Sequence, residues 1–105
     1  MSGSRYVYIW EFRVDPSREA AFIAAYGPTG AWAELFRRAD GYIETVLLRD
    51  LEVPGRFVTV DRWSSEADHA AFVAAFRPEY DALDRACEAL TRHEASLGSY
   101  AEHTG

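Results

Sequence analysis

The chain has 105 residues, enough for one domain and too few for a multidomain enzyme. Hydrophobic residues make up 49% and aromatics 14%, so a packed core is within reach and global disorder is excluded. Eleven Arg, no Lys and 17 acidic residues leave a net charge of -6, which offers no broad attraction to nucleic acid or to an anionic membrane.

The longest apolar runs, Tyr6 to Trp10 and Val46 to Leu48, are strand-sized and far below the ~20 residues of a membrane span. The start, Met1-Ser2-Gly3-Ser4, lacks the pattern of a secretory signal. Cys87 is the single cysteine and lies on a helical stripe with Leu83 and Leu90, where a buried small hydrophobe is expected. These features lead to the expectation of a cytoplasmic, single-domain protein spanning residues 1–105.

Residues 5–14 are rich in β-branched and aromatic types and predict a first strand. Tyr6, Tyr8, Trp10, Phe12 and Val14 fall on one face, and Val7, Ile9, Glu11 and Arg13 on the other. Asp15-Pro16 reads as a helix N-cap with Pro at the first helical position. The helix runs through 17–26, with Phe22, Ile23 and Tyr26 on one stripe. Gly27 to Gly30 ends it, and a second helical piece is expected over 31–38, with Trp32, Leu35 and Phe36 aligned.

After a turn at 39–41, Tyr42 to Arg49 and Phe57 to Trp63 predict two strands joined by a hairpin loop that holds Pro54-Gly55. Ser65 with Asp68 three residues on approximates a capping box, opening a helix that carries His69, Phe72, Val73 and Phe76. Pro78 begins a further helix with Tyr80, Leu83, Cys87 and Leu90 in line, and 93–101 is a candidate last strand.

The order β-α-β-β-α-β predicts an α+β, ferredoxin-like fold with an antiparallel sheet. Its strands are apolar on both faces: Val58 and Val60 oppose Phe57 and Thr59, and Ile43 and Leu47 oppose Val46 and Leu48. Helices cover one face only. The other calls for a homodimer with sheets packed face to face, a dimeric α/β barrel.

By alternation Phe57, Thr59, Asp61 and Trp63 share a face, and His69 lies six residues beyond Trp63 on an apolar helical stripe. Asp61, Trp63 and His69 are therefore expected to converge on one cavity, with Tyr8, Trp10 and Phe12 on its opposite wall. Such a pocket suits a small aromatic ligand, with His69 or Asp61 able to take a proton from a phenol. Each residue also has a plain structural reading: His69, Trp63 and Trp10 as core, Asp61 paired with Arg62 or another Arg, and Arg77, Arg85 and Arg92 as a solvated helical face. His69, His93 and His103 show no compact metal spacing, although Asp61 and His69 form a candidate ligand pair.

The opening YVYIWEFRVDP, the helix with Phe22, the turn Gly41-Tyr42 and above all RFVTVDRWSSEADHAAF resemble the antibiotic biosynthesis monooxygenase family. The resemblance implies a dimeric α+β barrel with one cleft per subunit, between sheet and helices. It implies oxidation of a polyphenolic compound without flavin or metal, through a substrate anion that itself meets dioxygen. Members that form quinones carry an Asn four residues before the strand-end Trp and a Tyr six residues after it. Those places hold Thr59 and His69 here, Trp63 is kept, and the helical Arg falls near Arg85. The haem-degrading branch would need an Asn at Phe12 and a His at Val73, so its iron ligand is missing. The leading expectation is a cofactor-independent monooxygenase with Asp61 and His69 in catalysis and Trp63, Thr59, Trp10, Phe12, Tyr8 and Arg85 binding substrate. The alternative is a non-catalytic dimeric barrel that binds a small ligand or acts in stress response.

Overall fold

In the computed structural model, which describes residues 4–103, the elements follow the predicted order. Strand β1 (Arg5–Arg13) leads through a 3-10 turn to helices α1 (Glu19–Tyr26) and α2 (Ala31–Phe36). Strands β2 (Tyr42–Arg49) and β3 (Arg56–Trp63) precede α3 (Glu66–Ala75), α4 (Arg77–Cys87) and β4 (His93–Glu102). The sheet order is β2-β3-β1-β4 and every pairing is antiparallel, which is the ferredoxin-like arrangement.

The central strand β3 alternates without a break. Phe57, Thr59, Asp61 and Trp63 are buried beneath the helices, while Val58, Val60 and Arg62 look the other way. Phe22, Phe57, Trp63 and Phe72 are the largest wholly buried side chains, each contributing roughly 1.5–3 kcal/mol through burial. Phe22 meets Phe57 at 5.0 Å, and Phe36 packs against the other two, its ring lying 5.3 Å from Phe72 and 5.7 Å from Trp63.

Local chemistry differs from the sequence reading at several points. Asp15 has extended cap geometry with Pro16 behind it, but its side chain caps nothing and pairs instead with Arg92 at 3.1 Å. Only Phe22, Ala25 and Tyr26 of α1 are buried; Ile23 is exposed, because it points a third of a turn away from Phe22. Ser65 does cap α3, accepting from the Asp68 amide at 3.1 Å. The Asp68 carboxylate completes no reciprocal box; it accepts from the Ser64 hydroxyl. Ile43 is bulged out of the β2–β3 ladder, so Tyr42 takes the helix-side place opposite Trp63 and Ile43 leaves the face shared by Thr45 and Leu47. Gly41, at φ +91°, makes that entry: a Cβ there would run into the Asp68 carboxylate, and its carbonyl accepts from the Ser64 amide at 2.7 Å.

The far face of the sheet has no helix over it. Ile9, Val46, Val58 and Val60 are half-buried there and Leu48 is exposed. Ion pairs frame these residues: Arg56 with Glu11 at 2.9 Å and with Asp50 at 3.1 Å, and Arg62 with Glu44 and Glu102 at 3.0 and 3.1 Å. Among the described residues no helix is long and apolar enough to cross a membrane. Replacing Ser65 by Ala removes the one acceptor that caps α3, and urea unfolding is expected to show a loss of about 1 kcal/mol.

Candidate active site

Between the helix-side face of the sheet and helices α1, α2 and α4 lies a cavity of about 210 Å³. Its floor is Tyr8, Trp10 and Phe12 of β1, Thr59 and Asp61 of β3, and Thr45 of β2. Its walls are Tyr26, Trp32 and Phe36. Tyr80 and Asp84 of α4 and Glu94 of β4 complete it.

Strand register positions its polar end. Asp61 stands directly between Tyr8 on β1 and Thr45 on β2. Among the described residues it forms no ion pair; Arg62, its neighbour in sequence, serves the opposite face. The Thr45 hydroxyl donates to Asp61 Oδ1 at 2.6 Å. Having given its proton to Asp61, Thr45 accepts from the Tyr42 hydroxyl at 2.7 Å, so a hydrogen-bonded line runs from the half-buried Tyr42 to the buried carboxyl. Burial pushes the Asp61 carboxyl up to about 6, with the Thr45 bond working against that rise. Burial also raises the Tyr8 phenol, and nearby Asp61 adds to it.

Five of the eight residues expected at the site line the cavity: Tyr8, Trp10, Phe12, Thr59 and Asp61. Trp63, His69 and Arg85 are outside it. Trp63 is wholly buried under Tyr42, Phe36 and Phe72. His69 packs behind the floor, with its ring tilted against Tyr8 at 4.8 Å and Tyr6 at 5.4 Å and edge-on to Trp63 at 5.2 Å. Among the described residues no hydrogen bond joins it to Asp61. The expected convergence on one cavity fails because the Tyr8 ring occupies the space beside His69. Burial lowers the imidazole, offset in part by Glu66. Arg85 is exposed, since Tyr80 and Asp84, four residues apart, claim the inward face of α4.

The sequence reading left out Thr45, although its alternation with Leu47 sets it on the helix-side face opposite Asp61. It missed Tyr80, Asp84 and Glu94 because only the tertiary fold brings α4 and β4 to the cavity mouth. Among the described residues no group of three His, Cys, Asp or Glu side chains has metal-holding geometry. Cys87 is buried and its thiol is raised by burial, as a core residue would be.

The ferredoxin-like fold thus holds an aromatic cleft between its antiparallel sheet and helices, around one buried carboxyl, which is the form small-molecule sites usually take. Residues 5–89 match the model of the antibiotic biosynthesis monooxygenase family, and the chain belongs to that family. Its fold is similar to SnoaB, a cofactor-independent oxygenase from Streptomyces nogalater, at 19% identity and a TM-score of 0.72, covering 97% of this chain and 96% of that one. It is also similar to PA3566 from Pseudomonas aeruginosa, at 16% identity and a TM-score of 0.70, over 99% and 98% of the two chains. SO0527 from Shewanella oneidensis aligns at 20% identity and a TM-score of 0.67, over 96% and 93%. No curated protein matches the chain.

The raised Asp61 carboxyl has a sign that unfolding can read. A carboxyl held at about 6 in the folded state and near 3.9 when unfolded binds more protons when folded. Its contribution is complete below pH ~3.9 and is lost as pH rises through about 6, a difference on the order of 3 kcal/mol. Asp61→Asn is therefore expected to gain stability relative to the parent protein between pH 4 and pH 7. Parallel urea titrations at the two pH values measure it.

Proposed function

We propose that the chain is a cofactor-independent monooxygenase of small aromatic compounds, acting in the cavity around Asp61. The observation that carries this reading is a buried carboxylate with no cationic partner among the described residues, on an aromatic-walled floor, in a chain of this family. An isolated buried carboxylate is costly to keep and is more often found where it serves chemistry.

In this reading a planar phenol or enolisable ketone lies against Trp10 and Phe12. Asp61 takes its acidic proton, and the carboxyl near pH 6 is matched to that task. The line through Thr45 to Tyr42 holds the carboxyl in place. The substrate anion gives an electron to dioxygen, the two radicals combine to a peroxide anion, and the proton held by Asp61 returns to it to give the hydroperoxide. For an anthrone-type CH₂, loss of water leaves the carbonyl, so one oxygen atom enters the product and the other leaves as water. His69 acts as a positioning residue, holding the Tyr8 ring on the floor.

Oxygen uptake by metal-free protein with anthrone- or naphthol-type substrates tests this. Asp61→Asn is expected to lower turnover by at least 100-fold, and kcat/KM of the parent protein is expected to rise with pH through about 6. His69→Ala is expected to cost less than 10-fold. Substrate binding without oxygen uptake would favour a non-catalytic ligand carrier.

The proposal includes a homodimer. The uncovered sheet face, apolar at its centre and framed by ion pairs, is the surface on which a second copy would pack. Light scattering at micromolar concentration is expected to give twice the chain mass, and Val60→Glu, placing a charge at the centre of that face, is expected to give a monomer. A monomeric parent protein would refute this part.

A further inference from the structure

The charges around the cavity set a condition on what enters it. Its lining contains three carboxylates, Asp61, Asp84 and Glu94, and no Arg, Lys or His. Asp61 sits opposite Tyr8, while Glu94 sits opposite Phe12, four residues along the same strand. At ~3.3 Å per residue those two stations are about 13 Å apart along β1.

The Glu94 end is also the aromatic corner. The Tyr26 and Trp32 rings lie 6.2 Å apart, and Trp32 meets Tyr80 edge-on at 5.1 Å and 68°. Trp32 is buried, with its indole N–H on the side of Tyr26 and Cys87. Asp84 raises the Tyr80 phenol after burial does, with Asp61 and Glu94 adding smaller pushes and Arg77 opposing. Glu94 likewise adds to the rise of Tyr26. All three carboxylates thus act on this corner. Arg77 approaches Tyr80 at 5.9 Å, but its guanidinium pairs with Asp81 and does not line the cavity. Asp84 and Glu94 have no ion-pair partner among the described residues.

A purely anionic ligand would meet uncompensated like charge here. Aromatic faces with carboxylates beside them attract organic ammonium groups. We propose that the substrate of this site carries a positively charged amine, seated in the corner of Tyr26, Trp32 and Tyr80 between Asp84 and Glu94, with its acidic aromatic end toward Asp61. This rests on the reading of the cavity as the substrate site. The ammonium would also balance the negative charge left on the aromatic ring once its proton moves to Asp61.

Calorimetric titration at low salt with three probes of one shape tests it: tyramine, 4-ethylphenol and 3-(4-hydroxyphenyl)propanoate. Tyramine is expected to bind at least 10-fold more tightly than 4-ethylphenol, and the propanoate more weakly than either. Asp84→Asn combined with Glu94→Gln, two exposed positions, is expected to erase that order while circular dichroism stays unchanged. In the parent protein, 0.5 M NaCl is expected to weaken tyramine several-fold and leave 4-ethylphenol as it was. Equal or reversed affinities, no binding by any probe, or an order that survives the double substitution would overturn the inference. Oxygen uptake on neutral naphthols with no preference for amines would sink the amine alone. Amine-selective binding with no oxygen uptake on any substrate would sink the oxygenase alone.

Discussion

Everything in the molecule is set out from the alternation along β3. Paired on both edges, this strand sends Phe57, Thr59, Asp61 and Trp63 under the helices and Val58, Val60 and Arg62 to the other side. A slip of one residue would bury Arg62 and expose Trp63, so register and core enforce each other. The same pleat that packs Phe57 and Trp63 delivers a carboxylate two residues from each neighbour on its face. The core and the cavity are therefore one structure, continuous from the wholly buried aromatics to the floor, where Tyr8 and Trp10 alone are half-buried.

The polar content of that floor comes from cross-strand neighbours rather than from a loop. Tyr8, Asp61 and Thr45 are consecutive across three strands, which fixes their spacing by the ladder itself. A site on paired strands is held more rigidly than one on a mobile connection. Tyr42 joins it only because Gly41 turns the chain and Ile43 bulges, and Ser64 and Asp68 tie that same corner to the start of α3.

Much of this was legible in the sequence because it rests on local periodicity. The element order, the two-sided apolar strands and the inward set Tyr8, Trp10, Phe12, Thr59 and Asp61 all follow from alternation and turn chemistry. What escaped depended on three-dimensional detail. A single bulge moved Ile43 off its face and brought Tyr42 in. His69 lies on the expected stripe, yet which ring lies between it and the cavity is a matter of packing. On α4, helical spacing had already set Arg85 on a solvated face; the family resemblance carried it toward the site, where Asp84, four residues from Tyr80, stands instead. Family resemblance pointed to the cleft and to Trp63, whose place here is in the core.

One small irregularity limits how these chains can meet. Opposite Ile9 and Trp10 the β4 ladder skips Leu97, and Gly98 takes φ +133° to let it pass. β4 is an outer strand, and a kinked border makes a poor template for another chain's backbone. Growth of the sheet sideways across this border into a ribbon is thereby discouraged.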